Sequence, residues 1–97
     1  MWAKMVSVKV LLFAIFREKY GIKETELEFD GTLNGFLKAL GEKISPKLVE
    51  DIYDPDSKHI KSNLIVMING RNIKDIKGDL KFNNGDTVAI FPPVAGG

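Results

Sequence analysis

Two segments near the start of the chain alternate between apolar and polar residues, and this pattern restricts the possible folds more than any other feature. The first segment spans residues 5–16 and the second spans residues 23–29, with Gly21 marking a turn between them. The first segment alternates only near its start, because its later half is apolar on both faces. One face of the first segment carries Val6, Val8, Val10, Leu12 and Ala14. A period of two residues is typical of a β-strand with one buried face. The sequence therefore predicts two strands that form a hairpin.

A helical stripe follows the second strand. It consists of Leu33, Phe36, Leu37 and Leu40. The spacing i, i+3, i+4 and i+7 places these side chains on one face of a helix, and Thr32 is a suitable N-cap. Ser45 and Pro46 have the features of a second helix start, because proline favours the first helical position. We expect one main helix across the sheet and one short helix after it.

The second half of the chain has the pattern of short strands separated by turns. Residues 54–63 are polar and predict a loop, whereas residues 64–68 are apolar and predict a short strand. An Asn-Gly pair follows, which is a strong signal for a tight turn and a short antiparallel return. Residues 87–91 predict the final strand.

This order of elements predicts an α+β fold of the ubiquitin-like β-grasp type, in which a mixed sheet packs against one main helix and a second short helix. We assign residues 1–91 to this domain and residues 92–97 to an extended C-terminal tail. A chain of 97 residues is long enough to build one compact core without disulfides.

The charge balance and the residue types exclude several classes of function. The chain has 14 Lys and Arg against 13 Asp and Glu, so it has no general attraction for nucleic acid or for anionic membranes. The longest apolar run, residues 10–16, is far shorter than the roughly 20 residues that span a bilayer. The absence of cysteine excludes disulfides, thiolate nucleophiles and cysteine metal sites. We expect a cytoplasmic protein with no nucleic-acid partner and no membrane partner.

No constellation of catalytic residues is evident in the sequence. His59 is the only histidine, and it lies in a polar stretch without a recognisable catalytic partner. Phosphate loops, dinucleotide-binding glycine patterns and paired histidines for a metal do not occur. The sequence therefore predicts no metal site and no bound cofactor, and it disfavours a small enzyme acting by itself.

The C-terminal end is the most unusual part of the sequence. After the last strand come Pro92, Pro93, Val94, Ala95, Gly96 and Gly97. The two prolines fix φ and favour an extended path away from the sheet. The glycines have no side chain to obstruct a narrow channel and tolerate any backbone path. Such a tail can bring its terminal carboxylate into the active site of another enzyme, where the bound geometry makes attack effectively intramolecular.

Both ends of the chain resemble one known family. Residues 8–14 followed by Arg17 and Glu18, and also residues 85–97, resemble the small subunit of molybdopterin synthase, a member of the MoaD/ThiS-like sulfur carrier family. The resemblance implies that an E1-like adenylyltransferase (MoeB-like) uses ATP to adenylate Gly97. A sulfur donor system would then convert Gly97 to a thiocarboxylate.

The resemblance also implies that the chain is a non-catalytic subunit. Its tail would dock into the large subunit of molybdopterin synthase (MoaE-like), where the sulfur passes to a pterin precursor of the molybdenum or tungsten cofactor. In this interpretation Gly97 carries the sulfur and Gly96 provides clearance. The other threading residues are Ala95, Val94, Pro93 and Pro92.

Docking of this kind needs an exposed surface. Phe13 and Phe91 both lie opposite the core-facing positions of their strands, and they would form one apolar patch if those strands are neighbours. Leu11 would extend this patch, and Ile73 is a further candidate. Aromatic side chains are frequent hot spots at interfaces. We therefore predict that these residues bind partner proteins.

Other functions remain open on the same fold. The tail could be joined to lysines of other proteins, as in ubiquitin-like modifiers, or it could donate sulfur for tRNA thiolation or thiazole synthesis. All of these uses require the same activated glycine. A different class is a plain interaction module whose glycine ending is incidental, and removal of Gly96 and Gly97 would leave the activity of such a module intact.

Overall fold

The computed structural model describes residues 5–92 of the chain. The strands are β1 (Val6–Leu12), β2 (Glu24–Phe29), β3 (Tyr53–Asp54), β4 (His59–Ile60), β5 (Ile65–Ile68), β6 (Arg71–Asn72) and β7 (Thr87–Phe91). The helices are α1 (Ile15–Tyr20), α2 (Leu33–Lys43) and α3 (Pro46–Ile52), and a 3₁₀ turn follows β6 at Ile73–Asp75.

A mixed sheet of five strands, in the order β2-β1-β7-β5-β6, organises the fold. The predicted hairpin is present as β1 and β2, which pair antiparallel. The final strand, β7, lies at the centre of the sheet, parallel to β1 and antiparallel to β5. The helices pack across one face of this sheet, which is the β-grasp arrangement. The predicted α+β fold class is therefore confirmed.

The core lies between one face of the sheet and the helices. The two central strands contribute Val10, Leu12, Val88 and Ile90, and α2 contributes Phe36, Leu37 and Leu40 from the predicted stripe. Helix α3 adds Leu48 and Ile52. Burial of one such side chain stabilises the fold by roughly 1.5–3 kcal/mol, so this core is the main source of stability.

Helix α2 begins directly after Thr32, which is its N-cap as predicted. The Thr32 hydroxyl accepts a hydrogen bond from the Gly35 N–H at 3.0 Å, which satisfies one of the free donors at the helix end. A Cβ on Gly35 would lie 2.1 Å from a carboxylate oxygen of Asp30, so a larger residue would have to displace this carboxylate from its hydrogen bonds with Thr32. Helix α3 likewise begins with Pro46 after a Ser45 cap, as predicted.

The first predicted strand is too long. It ends at Leu12, and residues 15–20 form α1 instead, so the structure has three helices among the described residues rather than two. Ala14 has a φ of 52°, which turns the chain so that Phe16 enters the core while Ile15 is left 60% exposed. A short apolar run does not distinguish a strand from a buried helix segment, and for this reason the sequence was misleading here.

The predicted loop through Asn63 also contains regular structure. Strands β3 and β4 form a small hairpin in which Tyr53 pairs with Ile60. The predicted return strand after the Asn-Gly turn stops at Asn72, because Ile73 begins the 3₁₀ turn. The tight turn itself is confirmed, since Asn69 and Gly70 both have positive φ, as such hairpin turns require.

Helix α1 is held against α3 by a small polar cluster. Lys19 Nζ lies 2.8 Å from Asp51 Oδ2, and the Tyr20 hydroxyl donates a hydrogen bond to the same oxygen. Partial burial raises the pKa of the Asp51 carboxyl, but the hydrogen bonds from Lys19 and Tyr20 outweigh this effect and lower the pKa below its ordinary value. The charged carboxylate therefore stabilises the folded state.

This cluster predicts a pH-dependent part of the stability. Because the pKa of Asp51 is lowered by folding, its contribution is present above the ordinary value of about 3.9 and is lost as the pH falls through the folded value. Replacing Tyr20 with phenylalanine should reduce the free energy of unfolding at neutral pH by about 1 kcal/mol. Urea unfolding at neutral and acidic pH measures both effects.

The matched control for this prediction is Tyr53→Phe. The Tyr53 side chain is also partly buried, but its hydroxyl makes no hydrogen bond within residues 5–92. We expect this variant to unfold as the wild type does at both pH values. An equal loss in both variants, or a Tyr20→Phe loss that does not shrink in acid, would show that the cluster does not stabilise the fold.

Candidate functional site

The central strand β7 brings the chain to the candidate site. Ile90 pairs with Leu12 on one side and with Val66 on the other, so the strand is held from both edges. Phe91 is its last residue and pairs with Ile65. Pro92 has no N–H and cannot extend the ladder, so the strand ends at Phe91.

The start of β7 is held by a polar cluster around the buried side chain of Asp86. Asp86 is only 8% exposed and accepts hydrogen bonds from the Asn83 N–H at 2.8 Å and from Asn69 Nδ2 at 2.9 Å. The side-chain oxygen of Asn69 accepts in turn from the Thr87 N–H at 2.9 Å. The turn after β5 and the turn before β7 are therefore joined, which sets where β7 begins and hence where it delivers Phe91.

The predicted pair of aromatic residues comes together at the far end of β7. The rings of Phe13 and Phe91 stack with their centroids 4.4 Å apart and their planes 10° from parallel. This contact exists because β1 and β7 are parallel neighbours. Phe13 follows the last residue of β1 and Phe91 is the last residue of β7, so the two lie side by side. Both residues are half-buried, and their face of the sheet is opposite the helices.

An apolar surface extends from this pair across the outer face of the sheet. Leu11 pairs with Ala89, and Ala89 pairs with Met67, so these three side chains form one row. Together with the aromatic pair and Ile65 they form the surface that we call the outer-face patch. Its members are Leu11, Phe13, Ile65, Met67, Ala89 and Phe91. All six side chains are partly exposed, and contiguous apolar surface that solvent can reach often marks a protein interaction site.

Ile65 and Met67 were missed in the sequence analysis. The signal that could have found them is the alternation within residues 64–68, where Leu64, Val66 and Ile68 are buried. The two residues between them must point to the other face, because successive side chains of a strand alternate. All five residues of the segment are apolar, so the sequence does not mark these two positions as facing outward.

Ile73 lies apart from the other predicted binding residues. It begins the 3₁₀ turn, packs against the core, and lines a cleft with Leu33 and Ile60. The proposed grouping of Ile73 with Leu11 and the aromatic pair is therefore wrong in its geometry.

A cation lies at the margin of the outer-face patch. The guanidinium of Arg17 is 5.5 Å from the centre of the Phe13 ring, and its Nε donates to the Leu12 carbonyl at 3.2 Å. A guanidinium over an aromatic ring is attracted by the ring quadrupole and gives roughly 0.5–1 kcal/mol at an exposed site. Arg17 thus covers one side of the aromatic pair and provides donors beside it.

Among the described residues there is neither a metal-holding cluster of side chains nor a helix able to span a membrane. Within residues 5–92, no group of three or more His, Cys, Asp or Glu side chains is placed to hold a metal ion. None of the helices in this part of the chain has the length and apolar character needed to cross a membrane. His59 is exposed on β4. The remaining predicted site residues lie outside the described part of the chain; they are Pro93, Val94, Ala95, Gly96 and Gly97.

Comparison with known proteins matches residues 10–97 to the ThiS family. Small archaeal modifier protein 3 of Haloferax volcanii is 31% identical over 98 residues, which cover 95% of this chain and 100% of that protein. The molybdopterin synthase sulfur carrier subunit of Anopheles gambiae is 30% identical over 93 residues, which cover 95% of this chain and 93% of that protein.

The fold has close counterparts among solved structures. The solution structure of small archaeal modifier protein 1 from Methanosarcina acetivorans superposes with a TM-score of 0.77 at 29% identity. The match covers 97% of this chain and 99% of that chain. The similarities therefore extend over nearly the whole chain and are not confined to its two ends.

Proposed function

The chain belongs to the ThiS family of ubiquitin-like sulfur carriers and modifiers, and on this premise we propose that it is the sulfur carrier subunit of a molybdopterin synthase. Gly97 would hold the sulfur as a thiocarboxylate. The observation that carries the proposal is the family match, which begins within β1 and runs through Gly97. The fold supports it, because the central strand delivers the chain to the tail beside an exposed apolar patch.

The chemistry requires two successive substitutions. A carboxylate oxygen of Gly97 attacks the α-phosphorus of ATP, and pyrophosphate leaves as the acyl adenylate forms. Sulfide-level sulfur from a donor then attacks the carbonyl carbon, the bond to the AMP oxygen breaks, and AMP leaves. The product is the thiocarboxylate. None of these steps needs a catalytic side chain on the carrier, since the activating enzyme supplies orientation and charge stabilisation.

The outer-face patch is proposed as the surface that two partners share. The E1-like adenylyltransferase (MoeB-like) would bind it while the tail is activated, and the large synthase subunit (MoaE-like) would bind it while the sulfur is transferred to the pterin precursor. Phe13 and Phe91 are the expected anchors, because rigid aromatic side chains bury much area at little entropic cost. Use of one patch would make the two partners compete, so activation and transfer alternate.

Intact-protein mass spectrometry tests the proposed function. The full chain is incubated with an E1-like adenylyltransferase, ATP and a sulfide donor. We expect a mass gain equal to exchange of one oxygen for one sulfur, and we expect no gain when Gly97 is deleted or ATP is omitted. A wild-type chain that stays unchanged with adenylyltransferases that activate other carriers of this family would contradict the proposal.

A second candidate is supported by the archaeal relatives. Two of the compared proteins are named small archaeal modifiers, which favours attachment of Gly97 to lysines of other proteins. This use and sulfur donation for tRNA thiolation or thiazole synthesis begin from the same acyl adenylate. Lysine-linked conjugates in extracts of cells that express the chain would favour the modifier function. If removal of the chain from cells abolishes molybdopterin synthesis and no conjugates are found, the carrier function is favoured. We propose a cytoplasmic location for this function.

A further inference from the structure

A second surface of the chain lies away from the outer-face patch. An open cleft of about 560 Å³ is lined by the first turn of α2, the strand β4 and the segment 73–81. Its apolar floor consists of Leu33, Ile60, Ile73, Ile76 and Leu80. Its basic side chains are Lys58, His59, Lys74 and Lys81. We call this surface the basic cleft.

The floor of the basic cleft is apolar surface that the fold leaves partly open to solvent. All five of its aliphatic residues contact the core without being fully buried. They come from parts of the chain that are distant in sequence, namely α2, β4 and the segment that follows β6. A contiguous apolar floor of this kind gains stability when another apolar group covers it.

The rim of the basic cleft is positively charged. Lys58, Lys74 and Lys81 are all exposed, and none of them forms an ion pair within residues 5–92. Lys74 Nζ donates to the carbonyl of Ser62, which holds one ammonium group in place. Asp79 is the one acidic residue that lines the cleft, so the balance of charge is basic. An acidic group would therefore be attracted to the rim.

The cleft also offers unpaired backbone. Among the described residues, the amides and carbonyls of residues 77–79 have no backbone hydrogen-bond partner, whereas Lys81 forms an antiparallel bridge with Thr32. A Cβ built on Gly78 meets nothing within 4 Å, so the space beside this segment is open. The segment is a bend rather than a strand, with Gly78 at a φ of 80°, and its free amides and carbonyls can hydrogen-bond to the main chain of a bound peptide.

The chemistry of the cleft favours a peptide over a small molecule. Small-molecule sites orient their ligand with buried polar groups aimed at it. In the described part of the chain, every buried side-chain nitrogen or oxygen already has a hydrogen-bond partner. What remains is an apolar floor, a basic rim and free backbone, which together match an extended chain.

We propose that the basic cleft binds an extended segment of a partner protein in which aliphatic residues are flanked by acidic residues. The aliphatic side chains cover the floor, and the acidic side chains meet Lys58 and Lys81 at the rim. The cleft shares no residue with the outer-face patch. A partner held in the cleft can therefore stay bound while the patch and the tail engage an activating enzyme. This proposal does not depend on which use of Gly97 is correct.

Titration of the isotope-labelled full chain with a peptide, monitored by NMR, tests the proposal. The probe is Asp-Asp-Ile-Leu-Val-Asp-Asp, and its controls replace the aspartates with lysine or the aliphatic residues with serine. We expect saturable shifts at Ile60, Ile73 and Ile76 with the acidic peptide alone, and weaker binding as salt is raised. Shifts confined to Phe13 and Phe91, or equal binding of the lysine peptide, would overturn the proposal.

Charge reversal tests whether the rim lysines themselves, rather than the net charge of the protein, attract the peptide. We expect Lys58→Glu combined with Lys81→Glu to weaken peptide binding by about tenfold or more. The matched control is Lys38→Glu combined with Lys47→Glu, which changes the net charge equally on α2 and α3 outside the cleft. If the rim double variant fails to fold, the glutamine versions of the same two changes replace it.

An equal loss in the rim and control variants would mean that the effect is general electrostatics, and this would overturn the assignment. No shift at the cleft residues with millimolar peptide would overturn it as well. The same holds if an RNA oligonucleotide binds these lysines in preference to the peptide. None of these measurements uses adenylation, so their failure is distinguishable from a failure of the proposed function.

Discussion

Replacing Gly96 with valine should slow adenylation of Gly97 by about 100-fold or more, because a misplacement of only about 1 Å in a reacting group can cost that much. A β-branched side chain removes the backbone freedom of glycine and adds bulk one residue before the reacting carboxylate. In the proposed function, the activating enzyme would bring this carboxylate to ATP in a narrow, desolvated site. ATP-dependent release of pyrophosphate by an E1-like adenylyltransferase measures the effect.

A graded series makes this prediction sharper. We expect Gly96→Ala to have an intermediate effect and Val94→Ala to have little, since Val94→Ala only makes the tail slimmer. All three variants should unfold at the same urea concentration as the wild type, because the changes lie beyond the last strand. Adenylation of Gly96→Val at the wild-type rate would show that the tail does not enter a confined site.

Replacing Phe36 with alanine should reduce the free energy of unfolding by about 3–5 kcal/mol. Phe36 is 1% exposed, and its ring lies 4.6 Å from that of Phe82 and 5.6 Å from that of Phe29, measured between centroids. The substitution would leave a cavity between α2 and the sheet. This loss is a large fraction of the roughly 5–15 kcal/mol that stabilises a natural domain. The urea unfolding midpoint and slope measure it.

The matched control is the same substitution at Phe91. Because Phe91 is half-buried on the outer face, its loss opens no cavity in the core, and we expect a smaller decrease in stability. The proposed function adds a second expectation, since Phe91→Ala should weaken binding to the adenylyltransferase while the chain stays folded. Equal destabilisation by the two substitutions would contradict the division between a structural core and an exposed docking surface.

Most of the regular structure could be predicted because it depends on local periodicity. The alternation of β1 and β2, the stripe of α2 and the caps at Thr32 and Ser45 all arise from neighbours a few residues apart. The Gly-Gly ending lies outside the described residues, and its function stays a prediction. The strand prediction for residues 13–16 was wrong because four apolar residues fit a strand and a helix equally well. Only the turn at Ala14 decides between the two.

The sequence by itself determined the α+β class and the positions of the main strands and helices. The tertiary structure alone decided which distant segments meet. Phe13 and Phe91 stack because β7 inserts beside β1, and Ile73 joins Leu33 in the basic cleft because α2 crosses the sheet there. Periodicity shows which face of an element is buried. It carries no information about which other element will cover that face, since the pairing of distant strands depends on the free energy of the whole packed chain.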